Sequence, residues 1–175
     1  MAIPPSRVRV LGIDPGLASV GWGVVDLDGA RLFYVDHGCV TTRADQDMAL
    51  RLGTIREALA DVFRRFQPDE SAMEALYFAR NVSSALSVAE ARGVIRLVCL
   101  DAGQRIAEYQ PTEVKRAATG AGGSGKAQVQ GFVKLVLGLD APPRPDHAAD
   151  ALAVAICHCQ SRAFASVDQG LRRRV

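Results

Sequence analysis

The chain has 175 residues, 49% of them hydrophobic, and this length fits one globular domain with a sizeable core. Lys and Arg outnumber Asp and Glu by 21 to 19, so the net charge of +2 permits an anionic partner without requiring one. The first residues do not read as a signal peptide, and no apolar stretch reaches the roughly 20 residues of a membrane-spanning helix. We therefore predict a cytoplasmic protein without a membrane partner.

Three predicted strands open the chain. Alternating apolar residues near the start predict a first strand that ends at Asp14, and residues 20–25 predict a second. The dipeptide Asp28-Gly29 then turns the chain into a third strand over residues 31–40. Because short turns join these consecutive strands, we expect an antiparallel meander.

The next predicted element is an amphipathic helix from Met48 to Phe66, where apolar residues recur at steps of three and four. The remaining predicted elements are a strand at 71–76, a helix at 81–101, a strand at 105–109, a helix at 113–118 that Thr112 caps, a helix at 126–137 and a last helix from Asp146. This order predicts an α/β fold with a mixed five-stranded sheet flanked by helices. We assign residues 1–165 to one domain and residues 166–175 to a flexible basic C-terminal tail.

A glycine-rich loop follows the predicted helix at 113–118. From Gly120 to Ala127 it reads G-x-x-x-x-G-K-A, which is one hydroxyl short of a nucleotide-binding P-loop. A P-loop follows a buried strand and needs a Ser or Thr where Ala127 stands, so we disfavour nucleotide binding. Lys115 and Lys126 flank the loop, which either lies along a phosphate backbone or is an ordinary flexible connection.

Two acidic residues, Asp14 and Glu74, occupy predicted strands in which a carboxylate is unusual unless it has a structural or functional role. Asp14 ends the first strand and faces the turn Pro15-Gly16, where a side chain projects beyond the sheet toward solvent or a metal ion. Glu74 interrupts the apolar run 72–76, and a buried carboxylate is costly unless it is paired or metal-bound. A salt bridge between Glu74 and an arginine is the alternative.

The last predicted helix opens with ligand-capable side chains. His147 and Asp150 lie three residues apart, and Asp146 and Asp150 four apart, so either pair shares a face. Asp146 fits helix capping, whereas Asp150 directly precedes apolar residues and fits a ligand. Carboxylates from two strands and a helix, without a nearby thiolate, suit Mg²⁺ or Mn²⁺. On a phosphate substrate such a set predicts two-metal chemistry, with the ions about 3.5–4 Å apart.

Several short motifs resemble the RuvC family of Holliday-junction resolvases. The first two are Leu-Gly-Ile-Asp-Pro-Gly at 11–16 and Gly-Trp-Gly-Val-Val at 21–25. The match continues at 72–74, 91–94, 110–115 and 148–153. These motifs occur in order from about residue 8 to residue 160, so the resemblance covers nearly the whole chain.

The resemblance implies a ribonuclease H-like fold and a homodimer that binds four-way junction DNA. It implies divalent-metal-dependent hydrolysis that nicks two strands of like polarity symmetrically, in homologous recombination and DNA repair. It also implies Mg²⁺ or Mn²⁺ as the cofactor, with two ions per active site, and the RuvA and RuvB branch-migration proteins as partners.

The family's acidic quartet, carried over position by position, falls on Asp14, Glu74, His147 and Asp150 as catalytic residues and metal ligands. His147 is a departure, because many family members have aspartate there. A neutral imidazole still binds Mn²⁺ or Mg²⁺, but it brings no negative charge and titrates near neutrality. We hypothesise that His147 is a metal ligand, or the base for the attacking water. In either role it would give the site a preference for manganese over magnesium.

Four further residues match DNA-contacting positions of the family. Lys115 and Lys126 match lysines that contact the scissile strand, so the glycine loop would let Lys126 reach a phosphate near the metal ions. Tyr77 and Phe78 occupy the aromatic position at the junction centre, where a ring stacks on an unpaired base. The alternative is that one ring belongs to the core and the other to its rim.

Two rival functions fit parts of the sequence. The motif Gly-Ile-Asp-Pro-Gly before a second strand also resembles the first phosphate loop of actin-like and sugar-kinase-like ATPases, but those proteins need a second such loop and a much longer chain. The other rival is a DNA-binding module without chemistry. It is disfavoured because unneeded carboxylates aimed at phosphate would weaken DNA binding.

Overall fold

The structure is a computed structural model that describes residues 7–76, 82–120 and 122–172, without the side chains of residues 82–84 and 163–172. Within these ranges the elements are, in chain order, β1 (Arg7–Asp14), β2 (Ser19–Asp28), β3 (Arg31–Thr41), α1 (Met48–Phe66), β4 (Glu70–Glu74), α2 (Val82–Asp101), β5 (Ile106–Tyr109), α3 (Pro111–Thr119), α4 (Lys126–Leu137) and α5 (Asp146–Arg172). The five strands form one sheet, so the predicted α/β fold class is confirmed.

Two kinds of strand pairing build the sheet, whose order is β3-β2-β1-β4-β5. The first three strands form the predicted antiparallel meander, because short turns join them. Strands β4 and β5 run parallel to β1, and helices α1 and α2 provide the crossovers that parallel pairing requires. The carboxyl ends of β1, β4 and β5 therefore meet at one edge of the sheet.

Side chains alternate across the sheet and divide the core into two layers. In β1, Val8 and Val10 face the layer that contains α3, α4 and α5. Leu11 and Ile13 face the other layer, which contains α1 and α2. By the same alternation Asp14 lies on the α5 side of the sheet.

Glycines in β1 and β2 let helix α5 lie close against the sheet. Gly21 is the register partner of Asp14, and Gly12 precedes Asp14 by two residues on the same face of β1. A side chain at Gly21 would collide with the backbone carbonyl of His147, and one at Gly12 would collide with the α5 backbone about one turn later. The first turns of α5 therefore rest on bare backbone beside Asp14.

Helix α3 begins earlier than the sequence predicts. It starts at Pro111, because the fixed backbone angle of proline suits the first position of a helix. The backbone N–H of Gln110 donates to the Glu113 side chain at 2.7 Å, so this pair closes the helix start. The predicted cap at Thr112 is wrong, since Thr112 already lies inside the helix.

Helix α5 runs further than the predicted start of the tail. Its backbone continues to Arg172, so residues 166–172, which we assigned to a flexible tail, are helical. No proline follows Asp146 to stop the helix. The remaining residues, 173–175, lie outside the described ranges, and the division of the chain at residue 165 stays a prediction. In the described part of the chain, no helix is both long and apolar enough to cross a bilayer.

Candidate active site

Two carboxylates stand at the carboxyl ends of neighbouring parallel strands. Ile13 of β1 pairs with Met73 of β4. The next residues, Asp14 and Glu74, are the last of their strands and therefore lie side by side. Glu74 shares a strand face with the core residue Ala72, on the α5 side of the sheet. Strand β4 ends two residues earlier than predicted, so Glu74 stands at the sheet edge and not inside the strand.

The first turns of α5 bring two more ligand-capable groups to this edge. Nδ1 of His147 donates to Oδ2 of Asp14 at 2.6 Å. Asp14, His147 and Asp150 each offer one ligand atom, and these three atoms lie within 4.8 Å of one another. The group does not include Glu74, whose side chain lines a cleft together with Asp150. The fold thus gathers groups that are far apart in the sequence.

Negative charge accumulates at this edge and changes the ionisation of its members. Burial, followed by the charges of Asp14 and Asp150, raises the pKa of Glu74 to about 7. Burial and the charge of Asp14 also raise the pKa of Asp150. The hydrogen bond to Asp14 raises the pKa of His147. Acidic groups that disfavour one another's ionisation in this way are stabilised by a nearby cation.

Two lysines stand beside the carboxylates. Lys115 of α3 and Lys126 of α4 line, with Glu74 and Asp150, a cleft of about 260 Å³. Nζ of Lys126 lies 3.2 Å from Oδ2 of Asp150. The charge of Lys115 acts against the rise in the Glu74 pKa. The cleft therefore offers cations to an anionic substrate next to groups that can hold a metal ion.

Asp146 belongs to the rim of the site. Its carboxylate accepts a hydrogen bond from Nε2 of Gln130 at 3.1 Å. It also lies 3.4 Å from Nζ of Lys126 and 3.1 Å from Nη1 of Arg144. The Gln130 hydrogen bond and the charge of Lys126 lower the pKa of Asp146. The group of mutually close ligand atoms contains His147 and not its neighbour Asp146.

The donor set fits a hard divalent cation. Such ions prefer carboxylate oxygen and accept imidazole, and Mg²⁺ holds its ligands at about 2.0–2.1 Å. Atoms within 4.8 Å of one another need only small movements to surround one ion. An ion bound at Nδ1 of His147 would displace the proton there and replace the hydrogen bond to Asp14.

The structure decides two of the alternatives that the sequence leaves open. Helix α3, and not a buried strand, precedes the glycine loop, so the P-loop interpretation is wrong. Within the described residues no ion pair reaches the Glu74 carboxylate, and Arg92, which contacts the Glu74 backbone, pairs with Glu108 instead. Tyr77 and Phe78 lie outside the described residues, so their stacking role stays a prediction.

Sequence reasoning overlooked two residues that shape the site. Gly21 gives His147 room, and a glycine inside a strand pattern is the available signal for such a close backbone approach. Arg92 is 3% exposed and donates to the backbone carbonyl of Glu74. Its signal is an arginine on the buried stripe of α2, one turn from Ile95, where a charge must be paired.

Comparison with known proteins gives a consistent result. The family model described as "Crossover junction endodeoxyribonuclease RuvC" matches residues 10–158. A relative of that name from Brevibacillus brevis is 46% identical over 166 residues, which cover 95% of this chain and 100% of the relative. One from Chloroflexus aggregans is 51% identical over 151 residues, which cover 86% of this chain and 92% of the relative.

Solved structures agree with these relatives. The structure of T. thermophilus RuvC in complex with a Holliday junction substrate has a TM-score of 0.86 and 34% identity, covering 90% of this chain and 96% of that chain. The yeast mitochondrial Holliday junction resolvase Ydc2, at 14% identity and a TM-score of 0.64, shares the fold. The predicted ribonuclease H-like fold is thereby confirmed. With its strand-end carboxylates and the first turns of α5 in place, the chain is a member of the RuvC family of crossover junction endodeoxyribonucleases.

Proposed function

We propose that this family member resolves Holliday junctions, hydrolysing phosphodiesters of four-way DNA junctions symmetrically with Mg²⁺ or Mn²⁺, in recombination and repair. One observation carries the proposal: the ligand atoms of Asp14, His147 and Asp150 lie within 4.8 Å of one another. Lys115 and Lys126 line the adjoining cleft, where a phosphate would need them. The solved complex of T. thermophilus RuvC with a Holliday junction supports the substrate class.

Each residue of the site has a chemical role in this proposal. Bound divalent ions would activate a water molecule and neutralise charge on the phosphodiester. Asp14, Glu74 and Asp150 would hold the ions through carboxylate oxygens, and neutral His147 through Nδ1. Glu74 lies beside Asp14 at the end of the neighbouring strand but outside the group of three, so it would complete the ligand set for a second ion if two are bound. Lys126 would bind a phosphate oxygen and stabilise the charge that grows there during cleavage.

A nicking assay tests the function. A mobile four-way junction and a linear duplex of the same sequence are incubated with the protein and Mg²⁺, Mn²⁺ or EDTA. The expected result is paired nicks in two strands of like polarity, seen only for the junction and only with metal. A junction that is bound but never cut would indicate a binding module, and equal cutting of the linear duplex would indicate a general nuclease.

The role of His147 can be separated from that of its neighbour. We expect Asp146→Asn to keep cleavage within about threefold of wild type, because Asp146 contacts Lys126, Gln130 and Arg144 from the rim. His147→Ala should lose about 100-fold or more, since it removes a ligand or base. Single-turnover nicking rates in Mn²⁺ and Mg²⁺ measure both, and His147→Asp should shift the preference toward Mg²⁺. The opposite ranking of the two positions contradicts the assignment.

Lys126 is expected to act on the chemical step more than on binding. Lys126→Ala should lower the cleavage rate by about 100-fold while changing the junction Kd less than about threefold, because its Nζ lies 3.2 Å from Asp150. Lys134→Ala, about two turns later in α4 and outside the cleft lining, is the matched control. Equal losses in rate and binding would assign Lys126 to the general phosphate contacts instead.

Metal binding should weaken as the pH falls. Glu74 has a pKa of about 7, so below that pH it carries a proton that a metal ion must displace. The raised pKa of His147 acts in the same direction, since an imidazolium cannot bind metal. The apparent Mn²⁺ association constant should fall about tenfold per pH unit for each displaced proton below pH 7. Calorimetric titrations at pH 6, 7 and 8 measure it, and equal affinities at the three values would refute the coupling.

The second part of the proposal is a homodimer formed through α2. Leu86, Leu97 and Leu100 are 63%, 51% and 65% exposed, and a side chain added at Gly93 would meet nothing within 4 Å. Leu86, Gly93, Leu97 and Leu100 follow one another at steps of seven, four and three residues, which places all four on one face of α2, as in a helix–helix seam. We expect Leu97→Glu to halve the mass seen by sedimentation, whereas Leu135→Glu, at an 80% exposed position of α4, leaves it unchanged. A wild-type chain that sediments as a monomer would refute this.

Partners and location stay predictions. Membership of the family supports the RuvA and RuvB branch-migration proteins as partners on the same junction, and it supports a cytoplasmic location. Co-sedimentation of the chain with RuvA and RuvB on a four-way junction tests the partnership, and its failure with junction present would remove it.

A further inference from the structure

Arg92 is a buried cation that lies outside the group of ligand atoms. It belongs to α2, which packs in the layer opposite α5, and it is 3% exposed. Its Nη2 donates to Oε2 of Glu108 at 2.7 Å, and its Nη1 donates to the backbone carbonyl of Glu74. One guanidinium therefore joins strand β5 to the last residue of strand β4 from the far side of the sheet.

This contact acts on the backbone of Glu74 where ordinary sheet pairing ends. The N–H of Ala75 still donates to the carbonyl of Tyr109 at 2.7 Å, as the last bond of the β4–β5 ladder. The carbonyl of Glu74 accepts a hydrogen bond from Nη1 of Arg92. Both sides of the Glu74 peptide unit are thus held, and the direction of its side chain follows from the backbone that carries it.

Packing alone does not explain an arginine at this position. Removing a guanidinium from water is expensive, and apolar residues of similar volume often serve a buried site equally well or better. The pair with Glu108 is also shared, because Nη2 of Arg96 lies 2.5 Å from the other oxygen of that carboxylate. What Arg92 adds, and Arg96 does not, is the contact with Glu74.

We propose that Arg92 is a positioning residue for Glu74, which fixes the end of β4 and thereby the place of the Glu74 carboxyl relative to Asp14 and Asp150. The inference deepens the proposed function, on which it rests. Arg92 is buried, so it is not placed to contact a substrate. It acts through the backbone of a residue that would hold metal.

The test compares three variants of the full chain. Arg92→Met removes both contacts, and Arg92→Lys restores a positive charge beside Glu108 without the planar fork that serves two acceptors at once. Arg96→Met, the matched control, removes a charge that pairs with the same Glu108 but has no contact with Glu74. Amide exchange at Ala75 in metal-free protein, calorimetric Mn²⁺ binding, junction binding in EDTA and Tm are measured for each.

For Arg92→Met we expect Ala75 exchange about tenfold faster, an Mn²⁺ Kd raised about tenfold and junction binding within about twofold of wild type. Arg92→Lys should recover most of the Tm and keep the weakened Mn²⁺ binding, and it carries the test if the Met variant fails to fold. Arg96→Met should match wild type in Ala75 exchange and Mn²⁺ affinity.

Two results would overturn the inference. One is unchanged Mn²⁺ affinity and Ala75 exchange in folded Arg92 variants. The other is an equal change in Arg96→Met, which would make the Glu108 network responsible and not the Glu74 contact. A wild-type chain that binds no Mn²⁺ would instead refute the proposed function. Amide exchange at Ala75 would still show whether Arg92 restrains the backbone at the end of β4.

Discussion

Replacing Asp14 by Asn is expected to lower junction cleavage by about 10³-fold or more and to leave junction binding and the fold intact. The substitution keeps the shape of the side chain but removes the negative charge of the Asp14 carboxylate, which would help to bind the metal ion. Asp14 lies 2.6 Å from Nδ1 of His147, and its charge raises the pKa of both Glu74 and Asp150. A loss of several kcal/mol of metal-borne transition-state stabilisation corresponds to a factor of this size.

The control is the same Asp-to-Asn substitution at a position outside the candidate active site. Asp28→Asn serves, because Asp28 is an exposed strand-end aspartate whose register partner is Arg7, at the other end of β1 from Asp14. Single-turnover cleavage and EDTA gel shifts are compared for the two variants. Cleavage by Asp14→Asn within tenfold of wild type would remove Asp14 from the catalytic set.

Gly21→Ala is expected to lower cleavage by about 100-fold or more, although Gly21 has no functional group. The added methyl would meet the backbone carbonyl of His147, so the start of α5 must shift away from Asp14. Displacements near 1 Å at a catalytic site cost rates of this order. The Mn²⁺ Kd should rise in parallel, because His147 and Asp150 move together with the helix.

Gly53→Ala is the matched control for Gly21→Ala. Gly53 lies in α1, where an added methyl meets nothing within 4 Å, so the same change should raise stability by about 0.5–1 kcal/mol and leave cleavage unchanged. Rates and Tm are measured for both variants. A Gly21→Ala protein with wild-type rate and metal affinity would show that the close approach of α5 does not set the site.

The metal-free site lowers the stability of the protein near neutral pH. The pKa of Glu74 rises from an ordinary 4.5 to about 7 on folding, so the folded state holds its proton when the unfolded chain has released it. The tighter binding of this proton in the folded state stabilises the protein at low pH. That stabilisation is lost as the pH rises from about 4.5 through 7. Burial, and then the charges of Asp14 and Asp150, disfavour the ionised form of Glu74, so a divalent ion bound beside it is expected to raise the free energy of unfolding.

Local pattern was sufficient for most of the secondary structure. Helices α1 and α4 have the predicted bounds, because each combines an apolar stripe with a clear stop in Gln67-Pro68 or Gly138. The local pattern did not show that β4 ends at Glu74, whose carbonyl accepts a hydrogen bond from Arg92 of α2 in the structure. Arg92 lies eighteen positions after Glu74, so the residues around Glu74 do not predict this contact.

The amino-acid sequence alone determined the order of strands and helices, the family resemblance, and which side chains can hold a hard metal ion. Periodicity and residue chemistry are local properties, and they can be read along the chain. Tertiary packing, and not any local pattern, brings the ligand atoms of Asp14, His147 and Asp150 within 4.8 Å of one another and leaves Glu74 outside that group. That geometry depends on strand register and on how closely α5 approaches Gly21, both of which are set by contacts between distant segments.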